Sequence, residues 1–211
     1  MKRLTDNLEP IADKIRASFS AKDAAREKTL PLCRDVIRYS SEAIRSIHRQ
    51  EFDQATKLLK SARNLLDEIE QIVASESDLN GIGLGFIRDA QKEFAEGSAT
   101  LALVTGKQLP NPNKLKVDDA AYLNGLGEAV GELRRYLLDG MRKGDLSRGE
   151  EILSAMDDIY GVLVAMDFPD AITGGLRRTT DVVRGILERT RSDLTLSIRQ
   201  MELEKRLNSM S

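Results

Sequence analysis

Apolar residues recur at helical spacing along almost the whole chain. Leu4, Leu8, Ile11 and Ile15 fall on one helix face, three or four residues apart. From Ala24 to Gln50 the set Val36, Ile37, Ile44 and Ile47 predicts a long helix. Pro31 either kinks that helix or stands in an early turn, because proline has no N–H to donate. Leu58, Leu59, Leu65, Leu66, Ile69 and Ile72 predict a helix from about Phe52 to Ala74. The run Ser75 to Gly83 (SESDLNGIG) is rich in turn and cap residues and predicts a break. A third helix is expected from about Leu84 to Thr105, stopped by Gly106 and followed by a loop at Pro110 and Pro112. A fourth begins near Asp118 or Asp119, both good N-caps, and runs to about Lys143 before Gly144. A fifth spans about Leu146 to Met166, ended by Pro169, and a last one spans about Gly174 to Asn208.

No convincing period-two alternation is present, so the pattern gives an all-α bundle of six or seven helices. Several of these helices exceed 20 residues. Long helices in a small chain need neighbours to cover their faces, which makes a homo-oligomer the expectation. The 211 residues suit a single domain, 1–211, with enough length to build a core.

Composition removes several function classes. One cysteine, Cys33, excludes an internal disulfide framework and a multi-cysteine metal site. One histidine, His48, excludes His-rich metal centres. The longest apolar run, about Tyr160 to Met166, falls well short of the roughly 20 residues of a spanning helix. The charged start MKRLTDNLEP shows no apolar signal core, so a reducing, cytoplasmic setting and no membrane partner are expected. Cys33 and the methionines are expected to fill the core.

The formal charge of −2 hides an uneven distribution. Residues 1–50 hold 11 basic and 7 acidic side chains, whereas residues 51–100 hold 5 basic and 10 acidic. Such a chain can meet an anion at one place and a cation at another.

Two segments carry the most chemistry. In the third helix, Glu93 and Glu96 stand at i and i+3, with Asp89 one turn earlier. In the fourth, Glu128 and Glu132 stand at i and i+4. Each pair faces one way. Lys92 is expected to point away from Glu93, while Arg135 shares the face of Glu128 and Glu132. Four converging carboxylates make a poor empty core but a good seat for a hard cation such as Mg²⁺, which can activate water against a phosphodiester. Gly97, Gly125, Gly127 and Gly131 sit beside these acids, as a close helix approach or ligand space would require. A solvated acidic face is the plain alternative. A ferritin-like di-iron site wants two Glu-x-x-His motifs, which His48 alone cannot supply.

Arginine forms two stripes. Arg34, Arg38, Arg45 and Arg49 fall within about 60° of arc on one helix, bordered by His48. Arg177, Arg184 and Arg191 repeat every seven residues on the last helix, with Arg178 beside the first. Arginine's planar fork suits phosphate, and a track of arginines can hold a nucleic-acid backbone without reading sequence. Tyr39 is the nearest aromatic, so base stacking is thinly supported. An ordinary solvated face laced with Asp35 and Glu42 is again the plain alternative.

These segments resemble the translin superfamily, and within it the nuclease-type branch, translin-associated factor X. QKEFAEGSA is similar to that branch's Q-E-Y-V-E-A signature, and AYLNGLGEAVGELRR to its D-Y-L-x-G-x-x-D-x-x-x-E-L-x-R signature. GDLSR (Gly144 to Arg148), LRR (Leu176 to Arg178), LSIR (Leu196 to Arg199) and IRSIHR (Ile44 to Arg49) resemble further family segments, so the likeness runs from about residue 30 to 200. The resemblance implies an all-α fold of seven helices and a hollow assembly of eight subunits. It also implies binding of single-stranded or short duplex RNA, and of single-stranded DNA. For the nuclease branch it implies a Mg²⁺-dependent endoribonuclease, with Mn²⁺ an acceptable substitute. Translin proper implies binding alone. Glu93, Glu96, Glu128 and Glu132 then match the catalytic, metal-holding acids. Arg135 matches the arginine that follows them, and Arg34, Arg38, Arg45, His48, Arg49, Arg177, Arg178 and Arg184 are the expected nucleic-acid contacts. Glu128 stands where the family usually has Asp, one methylene shorter.

Overall fold

A computed structural model of the chain describes residues 4–75 and 85–210. The predicted break from Ser75 to Gly83 therefore lies, beyond Ser75 itself, outside the described residues. Among the described residues there are six long helices, two helices of a single turn and no strand.

The first two predicted segments are one helix, α1 (Leu8–His48). Pro31 lies inside it. A mid-helix proline costs about 3 kcal/mol through its missing bond. Here a single buried line, Ala25, Thr29, Cys33, Val36, Ser40, Ala43 and Ile47, continues in register across it and outweighs that loss. Pro31 itself faces solvent. Helix α2 (Phe52–Ser75) folds back on α1 through a tight link at residues 49–51, where Gln50 adopts φ +62°.

Helix α3 (Gly85–Val104) packs on α1 and α2. The stretch expected as a loop contains a one-turn helix, α4 (Pro112–Leu115). Pro112 opens it because the first helical position needs no N–H, and the Asn111 side chain accepts from the Lys114 amide at 2.7 Å. Helix α5 (Asp119–Arg142) starts as expected, with the Asp118 carboxylate accepting from the Ala120 and Ala121 amides. Helix α6 (Gly149–Ala165) begins later than its pattern suggested, because Asp145 accepts from the Ser147 amide and holds the chain in a turn. A second one-turn helix, α7 (Asp170–Thr173), follows Pro169. Gly174 and Gly175, at φ +63° and +84°, then keep the chain out of helix until α8 (Leu176–Met210).

The packing order is α2, α1, α3, α5 and α8, with α6 filling the angle between α5 and α8. Val36, Ile47, Val130, Leu133, Met156, Leu163 and Leu194 lie in a continuous core. Cys33 and Met156 fill it, whereas Met141 and Met166 only pack against it in part and Met201 is half-buried on α8, so the expectation holds for some of the methionines.

Two glycines decide how close α5 comes to its neighbours. A Cβ at Gly125 would lie 2.7 Å from the Lys92 carbonyl oxygen and 2.9 Å from Ala95 Cβ, so α3 and α5 touch backbone to backbone at the level of the acids. A Cβ at Gly127 would collide with Thr179 of α8. Gly131 has only ordinary contact nearby, so the close-approach argument does not extend to it.

Leu8, Ile11, Ile15 and Phe19 on α1, and Leu196 and Leu203 on α8, are large, apolar and exposed. Among the described residues no helix is long and apolar enough to cross a membrane.

Candidate metal centre

The Gly125 contact sets the stage: it brings the acid-bearing turns of α3 and α5 side by side. Glu93, Glu96 and Glu128 each offer one carboxylate oxygen, and these oxygens all lie within 4.8 Å of one another. They open into a cleft of about 900 Å³ bounded by α3, α5, α7 and the first turns of α8. Donors of an octahedral Mg²⁺ set span about 4.2 Å at most, so a small inward movement fits these oxygens to that ion. An all-carboxylate set also suits Mn²⁺.

Electrostatics mark the acids as unusual. Glu96 is only 8% exposed. Burial, followed by the charges of Glu93, Glu128 and Glu132, pushes its carboxyl up to about 8. Glu93 is also raised, by burial first and by Glu128 second. A cation delivered to this cluster relieves both effects.

Lys92 does not point away. Its Nζ donates to Glu128 Oε1 at 2.6 Å and lies 3.8 Å from Glu93 Oε1. The expectation failed because the 100° step between adjacent residues leaves a long, flexible lysine stem within reach of either flank. Burial alone would lower the Lys92 pKa, but the bond to Glu128 and the neighbouring carboxylates outweigh it, and the net shift is upward.

Glu132 has a different partner. His48, whose side chain is 5% exposed, reaches across from α1 and sets Nε2 2.5 Å from Glu132 Oε2. Arg135 Nη1 is 3.8 Å from the same oxygen, with most of its side chain in solvent. His48 thus supports an acid from inside the bundle instead of bordering an outer stripe.

The arginines separate into groups. Arg178 lines the acid cleft, together with Arg88. Arg177 and Arg184 line a separate groove beside Tyr160, near Asp167 and Asp181. On α1, Arg38 pairs with Asp35 and Glu42 and lies 4.5 Å over the Tyr39 ring, which covers the one nearby aromatic. Arg49 is held by Glu51 and Ser46. Arg34 and Arg45 are exposed, with no ion pair among the described residues.

Sequence reasoning missed the cleft's wall. Asn124 of α5 donates to the Thr173 carbonyl of α7 at 2.8 Å and accepts from the Thr179 hydroxyl of α8 at 2.7 Å, tying three helices around the acids. Nothing in the local pattern distinguishes Asn124 from a surface amide. Only the tertiary approach of α7 and α8 makes it a joint.

No protein-family model matches the chain. An uncharacterized protein of Methanocaldococcus jannaschii is 29% identical over 192 residues, covering 88% of this chain and 82% of that one. A solved structure of AfC3PO in complex with duplex RNA is 33% identical, with a TM-score of 0.80, covering 90% of this chain and 97% of that one. A crystal structure of AfC3PO gives the same identity and coverage with a TM-score of 0.79. The crystal structure of apo-NeC3PO, at 18% identity and a TM-score of 0.74, shares the fold.

Proposed function

The chain belongs to the translin superfamily, and from that premise we propose that it is a metal-dependent endoribonuclease of the TRAX-like branch, acting on single-stranded or short duplex RNA. One observation carries the reading: three carboxylates from two helices converge in an open cleft that also presents Arg178. The complex of AfC3PO with duplex RNA supports RNA as the ligand.

In this reading Glu93, Glu96 and Glu128 hold Mg²⁺, with Glu132 retained as a fourth acid next to Glu96. The ion, when bound, stabilises charge on the phosphodiester and lowers the pKa of attacking water. Arg178 and Arg88 hold the strand's phosphates across the cleft mouth. Among the described residues lining the cleft none stands ready as a covalent nucleophile. The Cys33 thiol is buried in the core and burial pushes it up to about 11. The Thr179 hydroxyl is committed to Asn124. Direct attack by water follows. The exposed apolar stripes on α1 and α8 support assembly into a homo-oligomer, an octamer by family resemblance.

One observation favours a second reading. The Lys92–Glu128 bond gives the acids a partner without any metal, as expected of a non-catalytic RNA- or single-stranded-DNA-binding oligomer like translin proper. Cleavage of labelled single-stranded and duplex RNA, with Mg²⁺ and with EDTA, separates the two. The nuclease reading expects metal-dependent cleavage that Glu93→Ala and Glu128→Ala abolish while RNA is still bound. Binding without cleavage by the wild type, across Mg²⁺ and Mn²⁺, selects the second.

A further inference from the structure

A cation centre does not need a lysine at its heart, yet Lys92 is there. Its ammonium is bonded to Glu128 on α5 and sits beside Glu93 on its own helix, so it spans two of the three acids that converge. The stem is largely withdrawn from solvent. The other cleft cations are differently engaged: Arg88 lies 3.5 Å from Asp118, and Arg178 has no acid partner among the described residues.

We propose that Lys92 is a resident counter-ion, whose ammonium stands in the place of a divalent cation and must leave Glu128 before that cation can be bound. This rests on the metal reading of the site. A dication arriving at Glu128 competes with the ammonium for that carboxylate, and their mutual repulsion at a few ångströms is large in a half-buried setting. Lys92 therefore keeps the empty cluster from flying apart and sets how much metal is needed to load it. On release its flexible stem keeps the ammonium within the cleft, where the incoming phosphate offers a new partner.

Titration of the full-length protein with Mn²⁺, read by the electron paramagnetic resonance of the free ion and without RNA, tests this. Lys92→Met should bind Mn²⁺ about tenfold more tightly than wild type, or better. Lys92→Arg, which keeps the charge, should stay near wild type. Arg88→Met removes a cleft charge not bonded to the acids and should gain much less. In EDTA, Lys92→Met should melt below wild type and recover more on adding Mn²⁺. Unchanged or weaker Mn²⁺ binding in Lys92→Met overturns the proposal, as does an equal gain in Arg88→Met. If Lys92→Met does not fold, a Mn²⁺-loaded crystal of the wild type decides: a broken Lys92–Glu128 bond supports the proposal and an intact one overturns it. Failure of every form to bind Mn²⁺ overturns the metal reading itself. Binding by Lys92→Met alone supports the counter-ion role most strongly.

Discussion

Glu128 and Glu132 stand one turn apart on α5, yet they live in different environments. Glu128 faces the open cleft with a lysine beside it, among the acids of α3. Glu132 is drawn against a buried histidine from α1, and its oxygens stand outside the converging trio. Two identical side chains on one helix face have been given different surroundings by what packs around them. On the metal reading the open one exchanges its lysine for a cation. The inner one is held by a short bond in a setting where losing its donor is costly. Helical spacing places acids on a face, and the neighbouring helices decide which of them can work.

The strongest way to sharpen that contrast is to remove each acid. Glu128→Ala is expected to reduce Mg²⁺-dependent RNA cleavage by roughly a thousandfold with RNA binding retained; single-turnover rates measure it. Glu132→Ala should retain more activity if its place is structural, and equal losses would erase the distinction.

Acidity gives the next largest effect. The Glu96 carboxyl rises from 4.5 to about 8 in the folded chain, chiefly through burial. Between those values the folded chain holds a proton that the unfolded chain has released. Stability in EDTA therefore falls as pH rises from about 4.5 to about 8 and levels off above, over a range of a few kcal/mol. Urea denaturation across that range should show this slope, and Glu96→Gln should flatten it.

His48→Ala breaks the inner arrangement. It leaves Glu132 without its donor, and a loss of about 1–3 kcal/mol is expected in denaturant unfolding. A drop of about 10–100-fold in cleavage should accompany it, since partners that orient acids act at that scale.

The smallest effects come from the arginines. Arg178→Ala, at the cleft, should lower RNA affinity and reduce the salt slope of binding by about one. Arg38→Ala removes exposed pairs and should change stability by no more than about 1 kcal/mol. An Arg38 effect on RNA larger than that of Arg178 would move the strand's path to α1.

How far the sequence could be read follows the same physical divide. The long helices were legible because burial repeats every three or four residues along each of them. The continuity of α1 between the first two predicted segments was not, because residues 16–23 are mostly exposed and carry no buried stripe for periodicity to register. The turns at Pro112 and Asp170 were too short for periodicity to register. At the site, the spacings of Glu93 with Glu96 and of Glu128 with Glu132 were plain. Their partners Lys92 and His48 were not, because contacts between α3 and α5, and between α1 and α5, have no signature in either segment alone. The joint at Asn124 was invisible for the same reason.

Gly125 has a mechanical consequence. Most helix pairs are separated by side chains, which act as springs: they swivel, and the helices slide or part by a fraction of an ångström. At Gly125 the cushion is missing, and main chain bears on main chain. The gap between the carboxylates on either side is therefore a gauge cut into the backbone. A methyl group added at that position acts as a shim. It changes the dimension of the opening before it changes any charge, and no rotamer on either helix can restore the fit.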